Sequence, residues 1–299
     1  MSPDLHTHST ASDGTLAPHE LVRRAAAAGA RILALTDHDT LDGLPEAAAE
    51  AAAQGVTLIP GVELSVTWGG RTIHVVGLRV DSQCATLRAG LERLLAYRDW
   101  RAAEIGRRLG RHGIPDAFDG ARRLAGGALV GRVHFARHLV QRGLAANVQE
   151  VFKHFLVQGK PGHVAGDWAT LEEALGWIKA AGGQAVIAHP ARYGLSASRL
   201  RALLGEFREL GGAAVEVVTA SHSKDETFTF ARHAQTYRLL ASAGSDYHGP
   251  ETSWLDLGRL PALPPGCSPI WADWTEPRAG QGLPDPHHAQ PLPACRGLA

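Results

Sequence analysis

The chain has 299 residues, 44% hydrophobic and 20% charged, enough to bury a sizeable core in one large or two small domains. Lys+Arg and Asp+Glu balance at 30 each, which excludes a bulk polycation that coats nucleic acid by charge alone. Three cysteines with no CxxC pair argue against a disulfide framework and a thiolate zinc site, and fit a reducing cytoplasm. No apolar run approaches the roughly 20 residues of a membrane helix. Met1-Ser2-Pro3-Asp4 shows neither the basic nor the apolar region of a secretory signal, so a cytoplasmic protein with no membrane association is expected. The unusual feature is 16 His against 4 Lys.

From residue 3 to about 82, short β-like runs alternate with helical patterns. Leu5-His6-Thr7-His8 reads as a short extended segment. A helix follows from Pro18 to Ala28, with Pro18 in its first turn and Gly29 as its stop. Ile32–Thr36 reads as a buried parallel strand, Pro45–Gln54 as a helix, and Val56–Ser65 and Thr72–Val80 as two further strands. Leu87, Leu91, Leu94, Leu95, Ile105 and Leu109 then recur at helical spacing, and residues 83–164 are expected to form an inserted helical subdomain. The alternation resumes with a capping box, Thr170 with Glu173, before a helix to Ala181. A strand at Gln184–Ala188, a helix at Ser196–Leu210, a strand at Ala213–Thr219, a helix capped by Ser223 and Glu226, and a strand at Leu239–Ala243 complete the series. About seven strands with helical crossovers predict an α/β barrel or a related parallel sheet, residues 1–82 and 165–271 forming its two parts. Residues 272–299, Pro/Gly-rich and aperiodic, are expected to be a disordered tail.

Metal-capable side chains cluster at the predicted strand ends, the edge that carries the active site in parallel α/β folds. His6 and His8 point the same way, because a strand has period two. Alone, such a pair is weak evidence. Thr36-Asp37-His38-Asp39 follows an apolar strand, where charged groups are costly unless they bind something. Glu63 is a carboxylate inside an apolar strand and suits a bridge between two cations. His74, alone in its strand, reads by itself as a hydrogen-bonded core residue. His189 ends a strand that Pro190 stops, and Asp246 and His248 repeat the two-residue spacing after the last strand. So many ligands exceed one tetrahedral zinc but suit two or three ions sharing bridging groups. Nitrogen and oxygen donors without thiolate fit Mn²⁺, Zn²⁺ or Fe²⁺.

His6-x-His8, Asp13 in Ser12-Asp13-Gly14, Thr36-Asp37-His38-Asp39, Gly61-Val62-Glu63, His74, Ala188-His189-Pro190 and Gly244-Ser245-Asp246-x-His248 together resemble the polymerase-and-histidinol-phosphatase (PHP) superfamily. The likeness spans roughly residues 3–271 and is strongest to the 3′,5′-nucleoside bisphosphate phosphatase branch, which also contains enzymes trimming short RNA from the 5′ end. The resemblance implies a distorted (β/α)₇ barrel with a trinuclear metal site, Mn²⁺ being the first candidate. One ion would take His6, His8, Glu63 and Asp246; a second would share Glu63 and add His74 and His189; a third would take Asp13, His38 and His248. Asp37 and Asp39 would orient imidazoles. The implied catalyst is a metal-bound hydroxide attacking phosphorus, with no protein nucleophile.

For a second phosphate, Arg132 in the segment Gly131–Arg137 offers a bidentate fork, with His134, Lys160 and Arg192 as further candidates. Arg137 reads as a solvated surface cation, and Val133 and His163 depart from the residues expected beside these motifs. The expected activity is removal of the 3′-phosphate from nucleotides such as 3′-phosphoadenosine 5′-phosphate. The alternatives are a 5′→3′ exoribonuclease on short RNA, a histidinol-phosphate phosphatase, and a non-catalytic metal-binding module. No stable protein partner is implied.

Overall fold

A computed structural model describes residues 3–127, 129–251 and 255–274. Six strands form one sheet in sequence order: β1 (Ile32–Leu35), β2 (Thr57–Trp68), β3 (Arg71–Leu78), β4 (Gln184–Ile187), β5 (Ala214–Thr219) and β6 (Leu240–Gly244). Residues 4–8 join the two edges. Asp4 N–H donates to Ile32 and Ala34 N–H to Asp4 on the β1 side, while Leu5 N–H donates to Ala243 and His8 N–H to Tyr247 on the β6 side. The expected barrel is therefore present as a curled sheet closed by a short seventh segment.

The sheet is not parallel throughout. β2 pairs antiparallel with β3, and β3 antiparallel with β4, while β1–β2, β4–β5 and β5–β6 are parallel. The cause is local. Gly69 and Gly70 both adopt positive φ, 53° and 76°, and make a two-residue hairpin turn that reverses the chain without a helical crossover.

Helices α1 (Pro18–Ala27) and α2 (Leu44–Gln54) pack on each other outside β1, both entered through a proline in the first turn. Between β3 and α7 (Leu171–Ala180) lie α3 (Ala85–Arg111), α4 (Ala117–Ala125), α5 (Arg132–Gln141), α6 (Val148–Val151) and a π-helical turn at Phe152–Leu156. The first half of α3 gives Leu87, Leu91 and Leu94 to the barrel core. Its second half gives Ile105 and Leu109 to a separate apolar cluster with Ala117, Ala121, Phe135, Leu139 and Leu156. α8 (Ala197–Glu209) starts at Ser196, whose side chain accepts from Arg199 N–H; α7 and α9 (Lys224–Tyr237) carry the expected capping boxes, Thr170–Glu173 and Ser223–Glu226.

Residues 272–274, expected to belong to the tail, are instead part of the fold. Trp274 Nε1 donates to Gln184 at 2.8 Å, and the Arg79 guanidinium lies 5.8 Å from the Trp274 ring centre. The remainder of that segment, 275–299, lies outside the described residues.

The closing segment leaves little slack. A Cβ at Gly244 would stand 2.3 Å from His6 Cβ and 2.9 Å from His6 N. Gly244→Ala is expected to cost about 1–3 kcal/mol of stability in urea unfolding, the usual range for overpacking. A variant as stable as the parent would show that residues 4–8 can shift freely.

Candidate metal centre

Glu63 is fully buried in the middle of β2. Its Oε1 lies 3.3 Å from His6 Nε2, 3.0 Å from His74 Nδ1 and 2.9 Å from His189 Nε2. Its Oε2 lies 3.3 Å from His8 Nε2 and 2.9 Å from His38 Nδ1. Five imidazoles from four separate stretches thus surround one carboxylate. Asp246 Oδ1 adds contacts of 3.5 and 3.3 Å to His6 and His8 Nε2. Asp13 Oδ1 lies 3.2 Å from His248 Nε2, and its Oδ2 lies 3.9 Å from His38 Nε2. The structure brings together all nine groups that the sequence singles out.

Four overlapping sets have donor atoms within 4.8 Å of one another: His8, Asp13, His38 and His248; His6, Glu63 and His189; His6, His8 and Asp246; and His38, Glu63 and His74. His6 Nε2 and His8 Nε2 face each other at 3.1 Å, and one proton at most can lie between them. Glu63 Oε2, Asp13 Oδ1 and His38 Nδ1 are buried and make no well-directed hydrogen bond, although opposite partners stand close by. Donors aimed at shared points but poorly satisfied by one another are what divalent ions with nitrogen and oxygen ligands require.

The backbone is bent to reach this arrangement. His189 and Asp246 take positive φ, 26° and 55°, which costs non-glycine residues energy and persists only where neighbours over-determine it. Asp246 N–H is held by the His6 carbonyl at 2.9 Å. His189 N–H is held by Glu216 Oε2 at 2.5 Å, while Glu216 Oε1 bonds His6 Nδ1 at 2.7 Å. Glu216, 1% exposed in β5, therefore fixes two of the imidazole carriers and sets the His6 tautomer with Nε2 inward. Sequence reasoning missed it. The signal was available, since a carboxylate inside Ala-Val-Glu-Val-Val-Thr has the same pattern as Glu63.

The expectation that Asp37 and Asp39 orient imidazoles is not met. Asp37 accepts from Ser9 N–H and from the Ser9 and Ser12 hydroxyls, and so ties down the loop that carries Asp13. Asp39 accepts from Ser65 N–H at 2.7 Å and Arg98 Nε at 2.6 Å.

A cavity of about 580 Å³ runs from this cluster to the helices after β3, and Arg132, Arg137 and Arg192 line it. Arg192 Nη1 reaches Asp246 Oδ2 at 2.6 Å. Arg137, read as a surface cation, instead points Nη2 at the Asp13 carbonyl, 3.4 Å away. His134 and Lys160 are not among the lining residues. His134 is buried, and its Nδ1 accepts from Gly131 N–H at the start of α5; Lys160 is exposed. Arg98 and Arg101 of α3 line the cavity and were not anticipated. Their positions continue the apolar stripe of Leu87, Leu91 and Leu94 at spacings of three and four, so arginine on the buried face was the readable signal. A larger cavity of about 830 Å³ between α2 and α3 is mostly apolar and lacks these groups.

The PHP domain model matches residues 4–156. This chain belongs to the PHP domain family. Its PHP relatives include a 3′,5′-nucleoside bisphosphate phosphatase of Chromobacterium violaceum, 47% identical over 271 residues, covering 90% of this chain and 95% of the relative. A 5′-3′ exoribonuclease of Haemophilus influenzae is 46% identical over 268 residues, covering 90% and 97%. The solved structure of an amidohydrolase from Chromobacterium violaceum, with bound sulfate and no metal, superposes with a TM-score of 0.86 at 46% identity, covering 91% and 95%.

Electrostatics of the PHP cluster set its response to pH. Burial opposes ionisation of Glu63, Asp13 and Asp246, yet the surrounding imidazoles hold all three well below the usual carboxylate range. Burial, then repulsion from His248, pushes His8 down to about 3, and burial takes His74 down to about 4. For His248 burial also acts downward, but Asp13 and Asp246 outweigh it and raise the group to about 9. Without an ion, His248 carries a proton at neutral pH that a metal must displace. Metal affinity should therefore climb between pH 6 and 8, with protons released on binding. Calorimetry in buffers of different ionisation enthalpy checks this; a heat independent of buffer would contradict it. Glu216→Gln leaves one acceptor for two donors and should weaken metal binding by about 10–100-fold, read in the same titration.

Proposed function

We propose that this PHP protein is a metal-dependent phosphoesterase that removes the 3′-phosphate from nucleoside 3′,5′-bisphosphates, with 3′-phosphoadenosine 5′-phosphate as the model substrate. The observation that carries this reading is one carboxylate, Glu63, ringed by five imidazoles at the end of a cavity whose other wall is arginine-rich. Anionic ligands and imidazoles suit divalent ions; guanidinium forks suit phosphate. The relative named 3′,5′-nucleoside bisphosphate phosphatase supports the choice of substrate.

Two or three ions, Mn²⁺ first among the candidates, would be held by His6, His8, Asp13, His38, Glu63, His74, His189, Asp246 and His248. Bound there, such ions would supply an acidified water and positive charge at the phosphoryl oxygens. The chain's own groups do the positioning. Glu216 fixes His6 and the His189 backbone. Arg192 clamps the outer oxygen of Asp246 and leaves its inner oxygen to His6 and His8. A cytoplasmic location is part of the same reading, supported by the sparse cysteines and by the lack of a described helix long and apolar enough to cross a membrane.

A second reading, 5′→3′ exoribonuclease on short RNA, is favoured by the relatives carrying that name. The chemistry is close. In both cases the bond broken joins phosphorus to the 3′-oxygen of a nucleotide that keeps its 5′-phosphate; only the remaining ester on phosphorus differs.

Incubation of Mn²⁺-loaded protein with adenosine 3′,5′-bisphosphate should release inorganic phosphate, and chelation of the metal should abolish the release. A parallel incubation with a short 5′-phosphorylated oligoribonucleotide separates the readings: release of mononucleotides there, with the bisphosphate left intact, would overturn the phosphatase assignment. Glu63→Gln should lower turnover at least about 100-fold, since the carboxylate charge serves several imidazole-bound ions.

A further inference from the structure

His74 and His189 reach Glu63 Oε1 at 3.0 and 2.9 Å, one from β3 and the other from the end of its antiparallel neighbour β4. The pairing of these strands runs Leu78–Gln184, Gly77–Ala185, Val76–Val186 and Val75–Ile187, so the next opposed residues are His74 and Ala188. Half of that rung is ordinary, since Ala188 N–H donates to the His74 carbonyl at 3.1 Å. The other half is not. His74 N–H donates at 2.9 Å to the Tyr193 hydroxyl, which donates in turn at 2.7 Å to the Ala188 carbonyl. A side-chain oxygen is thus inserted into a backbone ladder, at the rung that carries one imidazole and immediately precedes the other.

The chain after β4 is shaped for this insertion. Pro190 opens a 3₁₀ turn, Pro190–Tyr193, that Gly194 closes at a φ of 55°. The turn brings Tyr193 back to the strand end it has just left. There Arg71 of β3 donates from Nη1 to the Tyr193 carbonyl at 3.0 Å, and the Tyr193 and His189 rings meet edge to face with centres 5.6 Å apart.

The consequence falls on the peptide unit between Ala188 and His189. Its carbonyl is held by the Tyr193 hydroxyl, and its N–H is held by Glu216. The tilt of that plane sets the φ of His189, the strained value of 26°. Such a conformation persists only where its surroundings over-determine it, and here two side chains grip opposite edges of one peptide. A direct rung would draw the His74 nitrogen and the Ala188 oxygen to about 2.9 Å, leave no room for the hydroxyl and turn the plane.

We propose that Tyr193 is a positioning residue for the metal centre: its hydroxyl, a spacer in the β3–β4 ladder, sets the separation of His74 and His189 across Glu63 and hence how tightly the ions they share are held. This rests on the metal-dependent reading above. Tyr193 is not among the residues lining the cavity, so it acts through the backbone of the two imidazole carriers and not on a substrate.

The probe is Mn²⁺ alone, titrated into metal-free full-length protein. Tyr193→Phe keeps the ring against His189 and removes only the spacer. Its Mn²⁺ affinity should be about 10- to 100-fold weaker than the parent's, the usual effect of losing a group that orients a ligand. Ile178→Val trims a buried side chain of α7 that packs over Gly77 of β3, so it lowers Tm without touching the rung and should leave the Mn²⁺ affinity unchanged. With adenosine 3′,5′-bisphosphate at limiting Mn²⁺, Tyr193→Phe should lose kcat by a factor similar to its loss of affinity and keep the parent's KM. Parental Mn²⁺ affinity in Tyr193→Phe, an equal loss of affinity in Ile178→Val, or no Mn²⁺ binding by the parent would each overturn the proposal. If the parent frees no phosphate from the bisphosphate yet its Mn²⁺ affinity depends on the Tyr193 hydroxyl, the phosphatase reading fails and the spacer stands. If the parent hydrolyses the bisphosphate and Tyr193→Phe titrates as the parent does, the reading stands and the spacer fails.

Discussion

A carboxylate buried without compensation is among the most costly groups a fold can hold. Glu63 is fully buried, and the arrangement around it follows from satisfying its charge. The two oxygens have separate clienteles: Oε1 faces His6, His74 and His189, and Oε2 faces His8 and His38. No nearby stretch of chain could supply five imidazoles to one point. The barrel can, because each strand or strand end approaches the axis from a different direction. Closure by residues 4–8 is part of the same constraint, since these residues carry two of the five imidazoles while bonding both sheet edges.

The antiparallel excursion in the sheet serves this end. The register sets Ser65 of β2 opposite His74 of β3, so a two-residue turn returns the chain beside Glu63 and delivers an imidazole to its Oε1. A helical crossover would spend many more residues on the same delivery. His74 is thus an inner-strand residue, and the rule that functional groups gather at the carboxyl ends of parallel strands does not describe it.

Much of the cluster was legible because its members violate local expectation. His6-x-His8 and Asp246-x-His248 share the strand period, Glu63 interrupts an apolar strand, and His189 precedes a proline that ends one. Strand direction was less legible, because it turned on reading Gly69-Gly70 as a tight hairpin. Glu216 shows the same pattern as Glu63, a carboxylate flanked by apolar strand residues, and that signal was passed over. His134 illustrates the opposite error. Two residues from Arg132 in the chain, it looked like a phosphate contact, yet its ring serves the first turn of α5. Side-chain direction on a helix separates neighbours that sequence places together.

The division of labour between barrel and helices meets in α3. Its first half is anchored among barrel side chains and its second half among those of the helical cluster. Arg98 and Arg101 occupy the joint, where an apolar stripe would otherwise run on. The Arg98–Asp39 pair then ties that joint to the residue after His38, one of the imidazoles facing Glu63. The span from the metal cluster to the guanidinium wall is therefore set by one continuous helix with an ion pair pinning its rotation.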